Sequence, residues 1–296
     1  MDKLVERETA TRNPLVAAPA LAIQFFLIPL VVVAVTAAVY VGFRSMLTDS
    51  RTARDYLAEI QSGGTDRRWP AAYELSRLMA DPKVRGDRTL GPALVTAYER
   101  AKEDDPAVRR YLALAIGRLD PPFPPKAIED LSEALADSDS EARISAIWAL
   151  GSSGDESIVG RLQALYESSD AGIRKMTVYA LGALPGTAQL VTLRTALQDP
   201  AADVRWNAAI ALARHSDRDG VGVIRQMIDR QYVEHAVTRE VRQDEDQDPI
   251  ADVMISGLRA AAALKDETLR DPITALSQQD RSMKVRAAAL EALKDM

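Results

Sequence analysis

The chain has 296 residues, 47% of them hydrophobic and 5% aromatic, and a formal net charge of −6. That acidity argues against a general nucleic-acid binder held by phosphate contacts. Cysteine is absent, which excludes disulfides, thiolate nucleophiles and cysteine-ligated metals and leaves the compartment open.

In chain order, residues 1–20 form a short polar tail in which Lys3, Arg7 and Arg12 offset Asp2, Glu6 and Glu8. Residues 21–43 then run without a charge, long enough at 1.5 Å per residue for a ~30 Å hydrocarbon core. The run predicts a single transmembrane helix, with Pro29 as a tolerated kink, Tyr40 and Phe43 near one interface, and Arg44 closing it. A cleaved signal peptide is the rival, but the run is too long and no small-x-small cleavage site follows. On this reading the protein is a single-pass protein of a bacterial cytoplasmic membrane, touching lipid through residues 21–43. Orientation is a tie under the positive-inside rule: Lys3, Arg7 and Arg12 stand on one side, Arg44, Arg51 and Arg54 on the other. Residues 44–64 read as a juxtamembrane helix and linker. An amphipathic stretch at 48–61 puts Tyr56, Leu57 and Ile60 on one side, and Ser62-Gly63-Gly64 breaks it.

From residue 65 to the end one unit recurs. Aligned on an arginine that follows an apolar or small residue, the copies stand at Arg109, Arg143, Arg174, Arg205 and Arg286, with Met254 in the slot of one copy and Arg68 opening a degenerate one. The steps of 34, 31 and 31 residues from Arg109 to Arg205 indicate stacked units. Apolar or small residues three, four and seven positions after the slot, as in Ala208, Ala209 and Leu212, fall on one helical face. Gly117, Gly151 and Gly182 follow where a helix C-terminus wants a positive φ. A second amphipathic stretch precedes each copy, at 128–135, 158–166 and 189–197, so the unit is helix–turn–helix. The predicted fold is all-α: a solenoid of about seven such repeats behind one transmembrane helix. The step from Arg205 to Met254 is 49 residues, so that copy carries an insertion, placed at 229–249 and ending in an acidic run. The run Asp120-Pro121-Pro122-Phe123-Pro124-Pro125 is expected to be an inter-repeat loop, with a ligand for an aromatic groove as the alternative.

Val108-Arg109, Ala142-Arg143, Ile173-Arg174, Val204-Arg205 and Val285-Arg286, each with its trailing alanine and leucine pattern, resemble the HEAT repeat, in particular the short HEAT-like repeat of phycobilin lyases. The resemblance implies an α-solenoid and says little of activity, because solenoids host many functions. It favours the cytoplasmic side for the repeats.

The sequence offers no catalytic, metal or cofactor site. His215 and His235 are the only histidines. HEAT-like metal enzymes of the deoxyhypusine hydroxylase type need several His-Glu pairs, whereas this chain has only the reversed Glu234-His235. Asp105, Asp139 and Asp170 stand four residues before their arginines. They are expected to cap the second helix and to meet the arginine of a neighbouring repeat, forming a structural ladder with Arg109, Arg143, Arg174, Arg205 and Arg286. Five positions after the slot stand Tyr73, Leu114, Trp148, Tyr179 and Ile210, then Arg259 and Glu291. That position lies about 140° around the helix from the slot, and stacking would align it into one apolar row, either a partner site or part of a wide core stripe. The expected function is therefore a membrane-anchored, non-catalytic scaffold or accessory subunit that binds another protein, such as a membrane complex, on a concave face. A bilin-lyase-like or other HEAT-repeat enzyme or ligand-binding protein is the alternative.

Overall fold

The computed structural model describes residues 27–47, 51–237 and 248–296, and every regular element among them is helical. Contacts divide the chain into two units, Met1–Arg51 and Thr52–Met296.

The described part of the first unit is helix α1 (Ile28–Leu47). Among the described residues no helix is long and apolar enough to cross a membrane. This overturns the expected single-pass anchor, its lipid contact and the membrane localisation drawn from it. The described part of the expected span is short. The uncharged part of α1, from Ile28 to Phe43, is 16 residues, about 24 Å against a hydrocarbon core of ~30 Å. Residues 21–26 of the expected span lie outside the described residues.

The second unit starts at Thr52, earlier than the repeat boundary read at residue 65. Thr52 and Asp55 form a capping box that opens α2 (Ala53–Ser62). Tyr56, Leu57 and Ile60 are buried, and α2 packs on α3 (Thr65–Leu78). The stretch read as a juxtamembrane helix is thus the first helix of the first repeat; residues 48–50 of that reading lie outside the described residues.

Beyond the short α4 (Pro82–Arg85) the pairs follow in order. They are α5 (Leu90–Arg100) with α6 (Pro106–Ile116), α7 (Pro125–Glu133) with α8 (Ser140–Gly151), and α9 (Val159–Leu165) with α10 (Ala171–Ala183). Next come α11 (Leu190–Ala196) with α12 (Ala202–Arg214), then α13 (Val221–Met227), α14 (Arg230–Ala236) and α15 (Pro249–Leu264). Helices α16 (Arg270–Gln279) and α17 (Met283–Asp295) form the last pair. The second helices stack in the sequence α3, α6, α8, α10, α12, α15, α17.

Small residues set the spacing of that stack. Ala180 and Ala208 are fully buried between helices. Gly117, Gly151 and Gly182 do not take the positive φ expected of them. Gly117 caps α6 with a φ of −62°, and the glycines with positive φ among the described residues are Gly154 and Gly186. A Cβ on Gly151 would stand 2.7 Å from the Cα of Ala180, and one on Gly182 would stand 2.2 Å from the Cβ of Ala211. The glycines permit close approach of successive second helices, which any side chain would block.

The 229–249 insertion contains a helix, α14, which packs on α13 and α15 and buries Val233. Residues 238–247 lie outside the described residues. The proline-rich loop buries Phe123, which makes it a packed connection between repeats.

Candidate functional site

Four of the second helices, α8, α10, α12 and α17, begin after a tight turn in which a side chain accepts from the backbone N–H two residues ahead. Asp137 accepts from Asp139, Asp199 from Ala201 and Asp280 from Ser282, at 2.9, 2.9 and 2.8 Å. The same carboxylates receive an arginine from the preceding repeat. Arg109 meets Asp137 through two bonds of 2.6 and 2.9 Å, and Arg174 meets Asp199 through two of 2.9 Å. Arg68 forms a single ion-pair contact with Asp104, which stands five positions before Arg109. Arg174 also donates to the carbonyls of Ser168 and Ser169, and Arg205 to those of Asp199 and Pro200. The guanidinium therefore ties its own turn to the next one.

This corrects the expected partners. Asp105, Asp139 and Asp170 accept from the backbone of their own helices, at Ala107, Ala142 and Gly172. They are caps, and their side chains are spent there. The carboxylates that meet the arginines stand six positions before the next arginine, as Asp137, Asp199 and Asp280 do, a spacing already visible in the sequence.

Two rungs differ. Arg205 finds the hydroxyl of Tyr232 at 2.9 Å. Asp280 is met by Arg230 of α14 through bonds of 2.8 and 2.6 Å. Arg230 thus supplies the cation that Met254, in the arginine slot of α15, cannot. Arg286 donates to the carbonyl of Asp280.

The Arg109 guanidinium holds the Asp137 carboxyl below its ordinary range, and Arg174 does the same for Asp199, burial opposing it in both. For Asp280 burial pulls upward, yet Arg230 and the Ser282 N–H outweigh it and the net shift is downward. Tyr166 donates to Asp199 at 3.1 Å. Burial, then the adjacent Asp199 charge, push the Tyr166 phenol up to about 12. These groups are committed to each other, so these rungs fix the stack.

The row five positions after the slot runs along the stacked second helices. Tyr73 is 38% exposed and meets Tyr111 edge-on at 5.2 Å, with Arg77 over its ring at 5.7 Å. Trp69, 43% exposed, stacks on Tyr111 at 6.5 Å. Leu114, Trp148, Tyr179 and Ile210 are half-buried. Trp148 and Ile210 pack against the core. The Trp148 ring covers Gly117, where a Cβ would stand 2.5 Å from Cζ3. Tyr179 carries Arg214 over its ring at 5.7 Å. Arg259 and Glu291 are exposed at the far end of the row. Sequence reading passed over Trp69, Tyr111 and Arg214, which the row alignment does not contain because they sit one, two or nine positions from the slot.

Among the described residues no cluster of His, Cys, Asp and Glu could hold a metal ion. A cleft of about 430 Å³ opens between α10, α12 and α15, beside Tyr179 and Ile210.

The HEAT repeats family model matches residues 92–182, 128–213 and 158–243, together just over half of the chain. Comparison with curated proteins gives no match. Among solved structures, the Escherichia coli protein YibA is similar at 16% identity over 84% of this chain and 89% of its own, with a TM-score of 0.47. An engineered protein is similar at 17% identity over 82% and 95%, with a TM-score of 0.45. Human deoxyhypusine hydroxylase is similar at 17% identity over 86% and 98%, with a TM-score of 0.34.

Proposed function

Because the chain belongs to the HEAT repeat family, we propose that it is a non-catalytic interaction module that holds a partner protein along the face of its stacked second helices. The observation that supports this is the row of Tyr73, Leu114, Trp148, Tyr179 and Ile210, each left partly exposed on a rigid frame. Partly exposed aromatic side chains beside arginines are the composition of interface centres. The solenoid frame presents them at fixed spacing, so a partner binds without ordering this surface.

Trp148 and Tyr179 form the centre of the proposed site. Trp148 also packs on Gly117, so its removal disturbs the stack as well as the surface. The clean test is therefore Tyr73→Ala/Tyr179→Ala, two residues outside the buried core. Full-length protein is purified with its partner, and the partner is identified from wild type. The double variant should lose that same partner while its helical circular dichroism and melting temperature stay unchanged. Retention of the partner by the folded variant would remove the row from the site.

A further inference from the structure

The row ends in a place of different chemistry. Where Tyr179 and Ile210 stand, the cleft between α10, α12 and α15 is walled by Ala211, Ala260 and Ala263 and flanked by Arg214 and Arg259. Small residues leave the floor open, and two exposed guanidiniums stand at its rim.

Three other cations of the second helices have carboxylates. Arg110 of α6 meets Glu141 at 3.4 Å, Lys175 of α10 meets Asp203 at 3.3 Å, and Arg77 of α3 meets Glu74 at 3.3 Å. Arg214 and Arg259 have neither an ion pair nor a hydrogen bond among the described residues. Arg214 is only stacked on Tyr179, which steadies a guanidinium without neutralising it. Its place in the last turn of α12 suits the helix dipole. That does not hold for Arg259, in the middle of α15. What the two share is the cleft. Glu291 and Asp295 line the next cavity along with Arg259, without pairing to it.

The geometry points to a carboxylate receptor: the cleft takes an aspartate or glutamate side chain of the bound partner, with an apolar neighbour lying against Tyr179 and Ile210. This rests on the reading that the face holds a partner protein, and it adds that partner's chemistry. An arginine pair offers planar, two-pronged donors that suit a carboxylate. The cleft volume of about 430 Å³ is at the lower end of ligand sites and accommodates a pair of side chains. The charged rim makes binding salt-dependent, because exposed charges are screened within a Debye length.

The test is selection of random dodecapeptides against the immobilised full chain, then fluorescence anisotropy of a synthetic copy of the strongest binder. Selected peptides should be enriched in aspartate or glutamate beside an apolar residue. Arg214→Gln/Arg259→Gln should weaken binding at least tenfold and flatten its salt dependence, with circular dichroism unchanged. Replacing the peptide's acid by its amide should produce the same loss on wild type and little further loss on the double variant. Enrichment without acids, wild-type affinity in the double variant, or no enriched peptide would overturn the inference. So would arginine-dependent binding of inorganic phosphate in place of a peptide. Loss of peptide in Tyr73→Ala/Tyr179→Ala with retention in the arginine variant would leave the interaction face standing and remove only the receptor.

Discussion

Two rungs of the arginine ladder lie one repeat apart and differ in outcome. Arg174 reaches Asp199 with two bonds, and both side chains are nearly buried, at 13% and 2% exposure. Arg143 occupies the same slot in the preceding repeat, but the position six before the next arginine is Ser168. Ser168 performs the turn's local duty, accepting from the Asp170 N–H at 3.2 Å, yet it is too short and uncharged to meet the guanidinium. Arg143 makes no side-chain hydrogen bond or ion pair among the described residues, and its Nε is buried without a partner. The arginine alone therefore does not make a rung. The turn residue has a dual role, capping locally and pairing across repeats, and serine retains only the first.

The comparison can be broken by substitution. The largest effect is expected for Asp199→Ala, which removes the acceptor of Arg174, Tyr166 and the Ala201 N–H together. Urea denaturation should show a loss of about 3 kcal/mol, as for one partner removed from a largely buried pair. Arg230→Met should follow, at about 2 kcal/mol, because Asp280 is 2% exposed in its side chain and keeps only its turn bond without Arg230. Ser168→Asp should move the other way. By giving Arg143 the missing carboxylate it should stabilise the chain by about 1 kcal/mol. The smallest effect is expected for Arg143→Met, within about 0.5 kcal/mol of wild type. If Arg143→Met costs as much as Arg174→Met, the two rungs are equivalent and the comparison fails.

Acid sharpens the same contrast. Asp137, Asp199 and Asp280 have carboxyls held below the ordinary value of 3.8. Such a group contributes its full stability above its unfolded value, and the contribution is lost as pH falls through the depressed folded value. Unfolding free energy should therefore drop below about pH 4, and Asp199→Ala should drop less steeply. The gain from Ser168→Asp should be present at neutral pH and vanish in the same acid range. A gain that persists in acid would show that the new aspartate acts without pairing to Arg143.

The sequence by itself determined the repeat, its period of 31 to 34 residues between Arg109 and Arg205, the helix–turn–helix unit and the burial of Ala180 and Ala208. Those follow from periodicity and residue size, which are local properties. The three glycines were also legible as special, but the sequence could not say that their role is approach and not chain reversal. That depends on Ala180 and Ala211 of the next helix. Tertiary structure alone decided which aspartate meets which arginine, since Asp137 and Asp139 both lie within reach in sequence and differ only in which way the turn points them. It also decided that residues 53–62 belong to the first repeat, because an amphipathic helix shows an apolar face without naming what covers it. Arg230 was hidden for the same reason. It stands outside the repeat register, in an inserted helix, and becomes a rung only because α14 packs where the register of α15 offers Met254.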